Sequence, residues 1–291
     1  MEYRSFGTHD DKLSVLGFGA IVLIGEDATE SANIISESID AGINYYDVAP
    51  SYGEAQGMLG RAEILLGPAL QRYRKDCFLA CKTTERSSER GSFEFYRSLE
   101  RLKTDHLDLY QLHAITDVKE DVEAAFAKDG IMEFLIKRKA AGAIKYLGFS
   151  AHSEAAALAA MRLYDFDSVL FPLNYGNYMH NGFGKGILEE ATKRHMARLA
   201  LKSMARQLWE PGDTRADHSK CWYEPLEDPD QIRKALTWTL SQGVTAALPP
   251  GEIKQFRIAV DLVNEGLPPL SDEELLSLKQ DAETINPLFK N

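Results

Sequence analysis

Read for the spacing of its apolar positions, the chain alternates short apolar runs with longer stretches of helical period from one end to the other. The runs predict strands at 14–18 (SVLGF), 43–47 (INYYD), 77–82 (CFLACK), 107–112 (LDLYQL), 145–150 (KYLGFS), 167–171 (DSVLF), 198–202 (RLALK) and 245–248 (TAAL). Amphipathic stretches between them, at 30–41, 89–103, 130–141, 153–163, 186–196 and 229–242, predict helices. Gly42, Gly142 and Gly243 stand where a helix-terminating glycine belongs, just before the next strand. Eight strands, each followed by a helix, predict an α/β protein whose parallel sheet closes into a (β/α)8 TIM barrel. The opening EYRSF predicts an extra strand in a short N-terminal hairpin capping the barrel floor. Near the other end, Ser271 and Glu274 are the N-cap and capping-box partner of a last helix over 271–283.

One connection breaks the rhythm. Residues 203–228, between the seventh strand and its helix, are rich in charge, Trp, Tyr and Pro. Long connections in compact domains are usually functional, and this one hangs over the C-terminal face of the barrel. It is expected to be a substrate lid. No linker or low-complexity tract interrupts residues 1–291, so a single barrel domain is expected.

Composition narrows the partners. A net charge of −11 disfavours non-specific attraction to nucleic acid or to an anionic membrane surface. The N-terminal MEYRSFGTHDDK is polar, and no apolar run is long enough to span a bilayer. Three cysteines, Cys77, Cys81 and Cys221, form no paired framework and suit a reducing compartment. The expectation is a cytoplasmic protein. His218 with Cys221, and Cys77 with Cys81, lack zinc spacing, so no metal site is expected.

Barrel strands deliver their C-terminal ends to one rim, where reactive groups belong. Asp47 ends the second strand, Tyr52 follows in its loop, Lys82 ends the third strand and His113 the fourth. Singly, each has a plain structural reading: a turn carboxylate, a salt-bridging lysine, an amphipathic core tyrosine. Together they make a proton-transfer set. Reduction of a carbonyl needs hydride on carbon and a proton on oxygen. A phenol near its ordinary pKa of about 10 is a poor donor at neutrality, and an adjacent ammonium is expected to lower that value. Asp47 would hold the buried lysine charged, and His113 would hydrogen-bond the carbonyl oxygen.

These segments resemble the aldo-keto reductase family over essentially the whole chain. GINYYDVAPSYGEAQGMLG (42–60) is similar to its D-x-A-x-x-Y-G segment, CKT (81–83) to its lysine strand, and DHLDLYQLH (105–113) to its histidine strand. The resemblance implies a catalytic tetrad of Asp47, Tyr52, Lys82 and His113. It further implies a nicotinamide dinucleotide, with NADPH favoured and NADH possible. GFSAH (148–152) resembles the family's G-x-S-N segment, which assigns Ser150 to the carboxamide while Ala151 replaces the usual Asn. Asn174, in PLNYGN, is the candidate for a second carboxamide contact. Gly19 and Ala20 would admit the cofactor backbone, and Lys202 and Ser203 would reach the pyrophosphate. LPPGEIKQFRIAV (248–260) departs most from the family: Gly251 is in the turn, Lys254 and Arg257 remain as phosphate partners, and the usual Glu-Asn or Gln-Asn pair is missing. Gln56 stands where relatives often have Glu. The implied partner is a small-molecule carbonyl substrate, acted on by a monomer or weak homo-oligomer. The alternative is a barrel of this family serving as a cofactor-sensing regulatory subunit.

Overall fold

In a computed structural model, which describes residues 1–215 and 217–290, twelve strands form three sheets. The first sheet is a hairpin of β1 (Tyr3–Ser5) and β2 (Lys12–Ser14), paired antiparallel. The second is parallel and eight-stranded: β3 (Phe18–Gly19), β4 (Tyr45–Asp47), β5 (Phe78–Thr83), β6 (Leu107–Ile115), β7 (Ile144–Ala151), β8 (Ser168–Pro172), β9 (Ala197–Leu201) and β12 (Ala246–Leu248). Between β9 and β12 lies a small antiparallel ribbon of β10 (Ala205–Leu208) and β11 (Tyr223–Pro225). The barrel closes where Leu16 bridges Ala247, with Gly17 N donating to Ala247 O and Ala247 N to Val15 O. The structure therefore has the eight-stranded parallel barrel that the alternation predicts, with the hairpin beneath it.

The hairpin is a plug. Phe6 and Leu13, both fully buried, enter an apolar layer of Tyr45, Phe78, Leu109, Tyr146, Leu170 and Leu199. The Phe6 ring lies 5.0 Å from Phe78 and 4.9 Å from Tyr146. Strand side chains alternate faces, so residues two apart share the barrel interior. Tyr45 and Asp47 form one such inward series. Phe78, Ala80 and Lys82 form another, as do Leu109, Gln111 and His113. Each starts apolar near the floor and ends polar at the mouth, which is how one barrel holds both a dry core and a reactive rim.

The helix-terminating glycines are in place: Gly42, Gly142 and Gly243 take φ of 91°, 80° and 72°. Ser271 and Glu274 form the reciprocal capping box of the helix Asp272–Thr284. The differences have local causes. The predicted strand 14–18 is divided between β2, the closing bridge and β3. A helix at Arg61–Leu70 goes unread because Gly67 and Pro68 interrupt its pattern. Gly67 is needed there: a Cβ would stand 2.3 Å from Arg101 O on the next helix. The connection 203–228 is not structureless, since β10 and β11 hold its base together. Among the described residues, no helix is long and apolar enough to cross a membrane.

Candidate active site

Asp47, Lys82 and Tyr52 form one hydrogen-bonded group at the barrel mouth. Tyr52 OH donates to Asp47 Oδ1 at 2.9 Å and accepts from Lys82 Nζ at 2.8 Å. Lys82 also pairs directly with Asp47 Oδ1. Asp47 Oδ2 accepts from Tyr45 OH at 3.1 Å and Gln111 Nε2 at 3.4 Å. Both charged residues are 0% exposed. Such burial is tolerable because each is paired and further hydrogen-bonded. Tyr52 reaches the group because the chain turns tightly behind it. Tyr52 N donates to Ala49 O at 3.1 Å, and Gly53 takes φ 92°. A Cβ on Gly53 would stand 2.7 Å from Ile24 Cδ1 and 2.8 Å from Met58 O.

The acidity of Tyr52 moves opposite to the expectation. Burial, followed by the charge and hydrogen bond of Asp47, raises its pKa well above 10.0. Asp47 offsets the ammonium that was expected to lower it. The phenol is thus held in its proton-bearing form. His113 is pushed well below 6.5, first by burial and then by the positive charges of Lys82, Arg86 and Lys202 and the ring of His152. It is a neutral imidazole. Its Nδ1 lies 3.3 Å from Ser51 Oγ, its carbonyl accepts from Arg86 Nη2 at 2.7 Å, and its ring meets that of Tyr52 edge to face at 6.0 Å.

A cleft of about 220 Å³ opens over this group. Tyr52, Lys82 and His113 line it together with Gly19, Ser150, Lys202 and Gly251, so seven predicted positions converge on one cavity. Ser150 Oγ accepts from Ala114 N at 2.7 Å, and Ala114 itself has φ 52°. Asn174, Ser203 and Ala20 are buried but do not line the cleft. Asn174 Oδ1 caps the helix Tyr175–His180 by accepting from Asn177 N at 2.8 Å, while its Nδ2 is buried without a partner. Ser203 Oγ is likewise unpartnered. Lys254 and Arg257 are exposed on the helix Ile253–Glu265, away from the cleft wall. Arg257 donates to both carboxylate oxygens of Glu37 at 2.9 and 2.8 Å.

Several cleft residues escaped the sequence reading. His152 follows Gly148 and Ser150 at a spacing of two, a signal that was there to use. Its pKa is pushed down to about 3 by burial and Lys202. Lys220 comes from the long connection and carries no periodic signal. Its Nζ donates to Val22 O at 2.8 Å, and its N donates to Glu252 Oε1 at 2.8 Å. Beside it, Gln56 Nε2 donates to Ser219 O at 3.0 Å, so the residue that differs from the family's Glu ties this segment to the Tyr52 loop. Phe289 does not line the cleft itself but packs on two residues that do, His152 at 5.4 Å and Trp222 at 5.9 Å. Among the described residues, no three His, Cys, Asp or Glu side chains gather as a metal-ligand set.

The fold and this site define an aldo-keto reductase barrel, and the comparisons agree. The model of the Aldo/keto reductase family matches residues 15–216, and the chain belongs to that family. It is 35% identical over 163 residues to YqkF, an uncharacterized oxidoreductase of Bacillus subtilis (strain 168), covering 52% of this chain and 49% of the relative. It is 33% identical over 130 residues to the aldo-keto reductase YhdN of the same organism, covering 39% and 38%. The chain therefore spans half or less of the length of these two curated relatives. In fold it is similar to the holo form of the aldo-keto reductase AKR11C1 from Bacillus halodurans, with a TM-score of 0.75, 22% identity and 100% of each chain covered.

Proposed function

We propose that this chain reduces aldehydes or ketones to alcohols with a nicotinamide dinucleotide, Tyr52 acting as general acid. The observation that carries the reading is the Tyr52 hydroxyl placed between Lys82 Nζ and Asp47 Oδ1 at the base of an open cleft. A bound reduced nicotinamide would supply the hydride. As the carbonyl oxygen gains charge, Tyr52 protonates it, and Lys82, 2.8 Å away, stabilises the phenolate left behind. Although its pKa is raised, Tyr52 can still give up its proton, because the oxygen that develops during the reaction becomes more basic than the phenolate. Asp47 keeps Lys82 charged and aimed. His113 completes the set. In the tautomer whose Nδ1 accepts from the Ser51 hydroxyl, the opposite nitrogen would carry the hydrogen and donate to the carbonyl oxygen.

Two groups left without partners would serve the dinucleotide once the lining shifts to expose them, since neither Asn174 nor Ser203 faces the cleft as it stands. Asn174 Nδ2 and Ser203 Oγ are buried and unsatisfied, and a Cβ on Gly19 would meet nothing nearer than 3.9 Å. Ser150 and Asn174 would hold the carboxamide, and Lys202, Ser203, Gly19, Ala20 and Gly251 would flank the pyrophosphate. NADPH is favoured over NADH, with Lys254 and Arg257 reading its 2′-phosphate once Arg257 exchanges Glu37 for it. The segment 203–228 acts as the lid of a single barrel domain, and Ile21, Trp222 and Tyr223 give the cleft an apolar wall suited to an aromatic substrate. We place the protein in the cytoplasm, where its three free, buried cysteines stay reduced, as a monomer or weak homo-oligomer.

The regulatory reading needs nucleotide contacts but no proton donor, so the complete Asp47, Tyr52 and Lys82 group favours turnover. Oxidation of NADPH and NADH, measured in parallel with a panel of aromatic and aliphatic aldehydes, tests this. Tyr52→Phe should lower kcat by roughly 10²–10⁴-fold and leave dinucleotide affinity intact. Equal turnover by wild type and variant across the panel, with the dinucleotide bound, would establish the sensor instead.

A further inference from the structure

Lys202 is an unusual lysine for its position. It lies immediately after β9 at the cleft wall, with a left-handed backbone (φ 63°) that non-glycine residues seldom adopt. No hydrogen bond or ion pair holds its ammonium among the described residues. Its nearest company is aromatic: Nζ lies 5.3 Å from the ring centre of Trp222, 5.6 Å from Phe289 and 5.9 Å from Tyr223. These distances are close to the limit of about 6 Å for a cation over a ring, so the rings do not replace a carboxylate. The other titratable groups of this wall bring no countercharge. His152 and His113 are neutral, and Cys221 is a thiol raised to about 12 by burial. A lysine set among aromatic rings without a counter-ion, beside other cations such as Lys82 and Lys220, is in a setting that favours the free, nucleophilic amine.

We propose that Lys202 is a second reactive group of this cleft, which condenses reversibly with aldehydes to form a Schiff base when no dinucleotide is bound. The amine nitrogen adds to the carbonyl carbon, and the oxygen takes up the proton that nitrogen releases. The carbinolamine then loses water to give the imine. No oxidant or reductant is consumed. Partial burial at the cleft wall supports the chemistry by lowering the Lys202 pKa to about 7, against 10.5 for an ordinary lysine. About half of the side chains are then free amine at neutrality, whereas a lysine at the model-peptide value of about 10.4 has on the order of one in a thousand. An aldehyde held there occupies the wall that the pyrophosphate would need. High aldehyde before dinucleotide therefore slows the protein, and the reverse order does not.

The test traps the imine. Dinucleotide-free protein at pH 7 is treated with benzaldehyde and cyanoborohydride, which reduces C=N to a stable benzylamine, and peptides are mapped by mass over time. The Lys202 peptide is expected to gain one benzyl group about tenfold or more faster than peptides carrying other lysines. Lys202→Arg, which keeps a cation, should abolish the fast label. A Lys202 peptide labelled no faster than the rest would overturn the proposal, as would a fast label that survives in Lys202→Arg. Tyr52→Phe should label like the wild type, because the amine and not the phenol forms the adduct. A failed reductase assay therefore leaves this test intact.

Discussion

The two ends of the barrel are made from the same strands and treat their interior in opposite ways. At the floor, Phe6 and Leu13 close an apolar layer in which ring meets ring at about 5 Å, and polar groups stay at the edge. Tyr146 illustrates this: its ring packs inward while its hydroxyl donates to Asp11 at 2.5 Å. At the mouth, one residue further along each inward series, a carboxylate and an ammonium are fully buried. Gln111 Oε1, Asn174 Nδ2 and Ser203 Oγ lack partners there, whereas left-handed backbones occur at both ends, at Ala114 and Lys202 near the mouth and at Lys103 and His195 near the floor. A buried ion pair of this kind is costly to desolvate and persists where function needs it. The contrast assigns stability to the floor and chemistry to the mouth.

The largest expected effect comes from Lys82→Met. It strands the Asp47 carboxylate among neutral donors, and removal of one partner of a buried pair costs about 3–5 kcal/mol. It also removes the charge proposed to stabilise the Tyr52 phenolate, so activity and stability should fall together, read by urea unfolding and by NADPH oxidation. Adding Asp47→Asn should recover most of the stability and none of the activity. Recovery of activity in the double variant would refute the assignment. At the other end, Phe6→Ala empties the plug and should cost about 3–5 kcal/mol, with kcat/KM unchanged below the new Tm. A matching loss of kcat/KM would show that the two ends are not separable.

The same contrast explains what could be read in the chain. The floor and the strand ends follow a period of two, and proximity along the chain brings Asp47 to Tyr52. The barrel, the hairpin plug and the convergence of Tyr52, Lys82 and His113 on one cleft were therefore legible. His152 was legible too, at the next step of a series already recognised through Gly148 and Ser150. Lys220 and Phe289 were not. One comes from an irregular connection and the other packs against His152 from 137 positions away, contacts that no local period encodes. The direction of the Tyr52 shift was missed for a different reason. Spacing shows that a lysine is near, but only coordinates show that Asp47 bonds both Lys82 and Tyr52, so that burial and the carboxylate outweigh the ammonium.

The smallest effect we predict is a pH dependence of dinucleotide affinity, and it sharpens the contrast because it should arise from a residue of the mouth. Lys202, with its pKa lowered to about 7, is an ammonium below that value and an amine above it. A pyrophosphate held by this ammonium, as proposed, would raise its pKa in the complex, so binding would take up a proton. Affinity should therefore be full below about pH 7 and fall as pH rises, by up to about tenfold per unit, until the lysine in the complex also titrates. His113 and His152, both lowered, and Tyr52, raised, stay neutral across this window. The 2′-phosphate of NADPH loses its last proton near pH 6, by analogy with phosphoserine at about 6, which opposes the trend and makes NADH the cleaner ligand. Fluorescence titration of NADH between pH 6 and pH 9 should show affinity falling in the wild type, with a much shallower fall in Lys202→Met. An affinity that rises with pH, or a slope that survives in Lys202→Met, would remove Lys202 from the pyrophosphate site and leave its amine free whether or not the dinucleotide is bound.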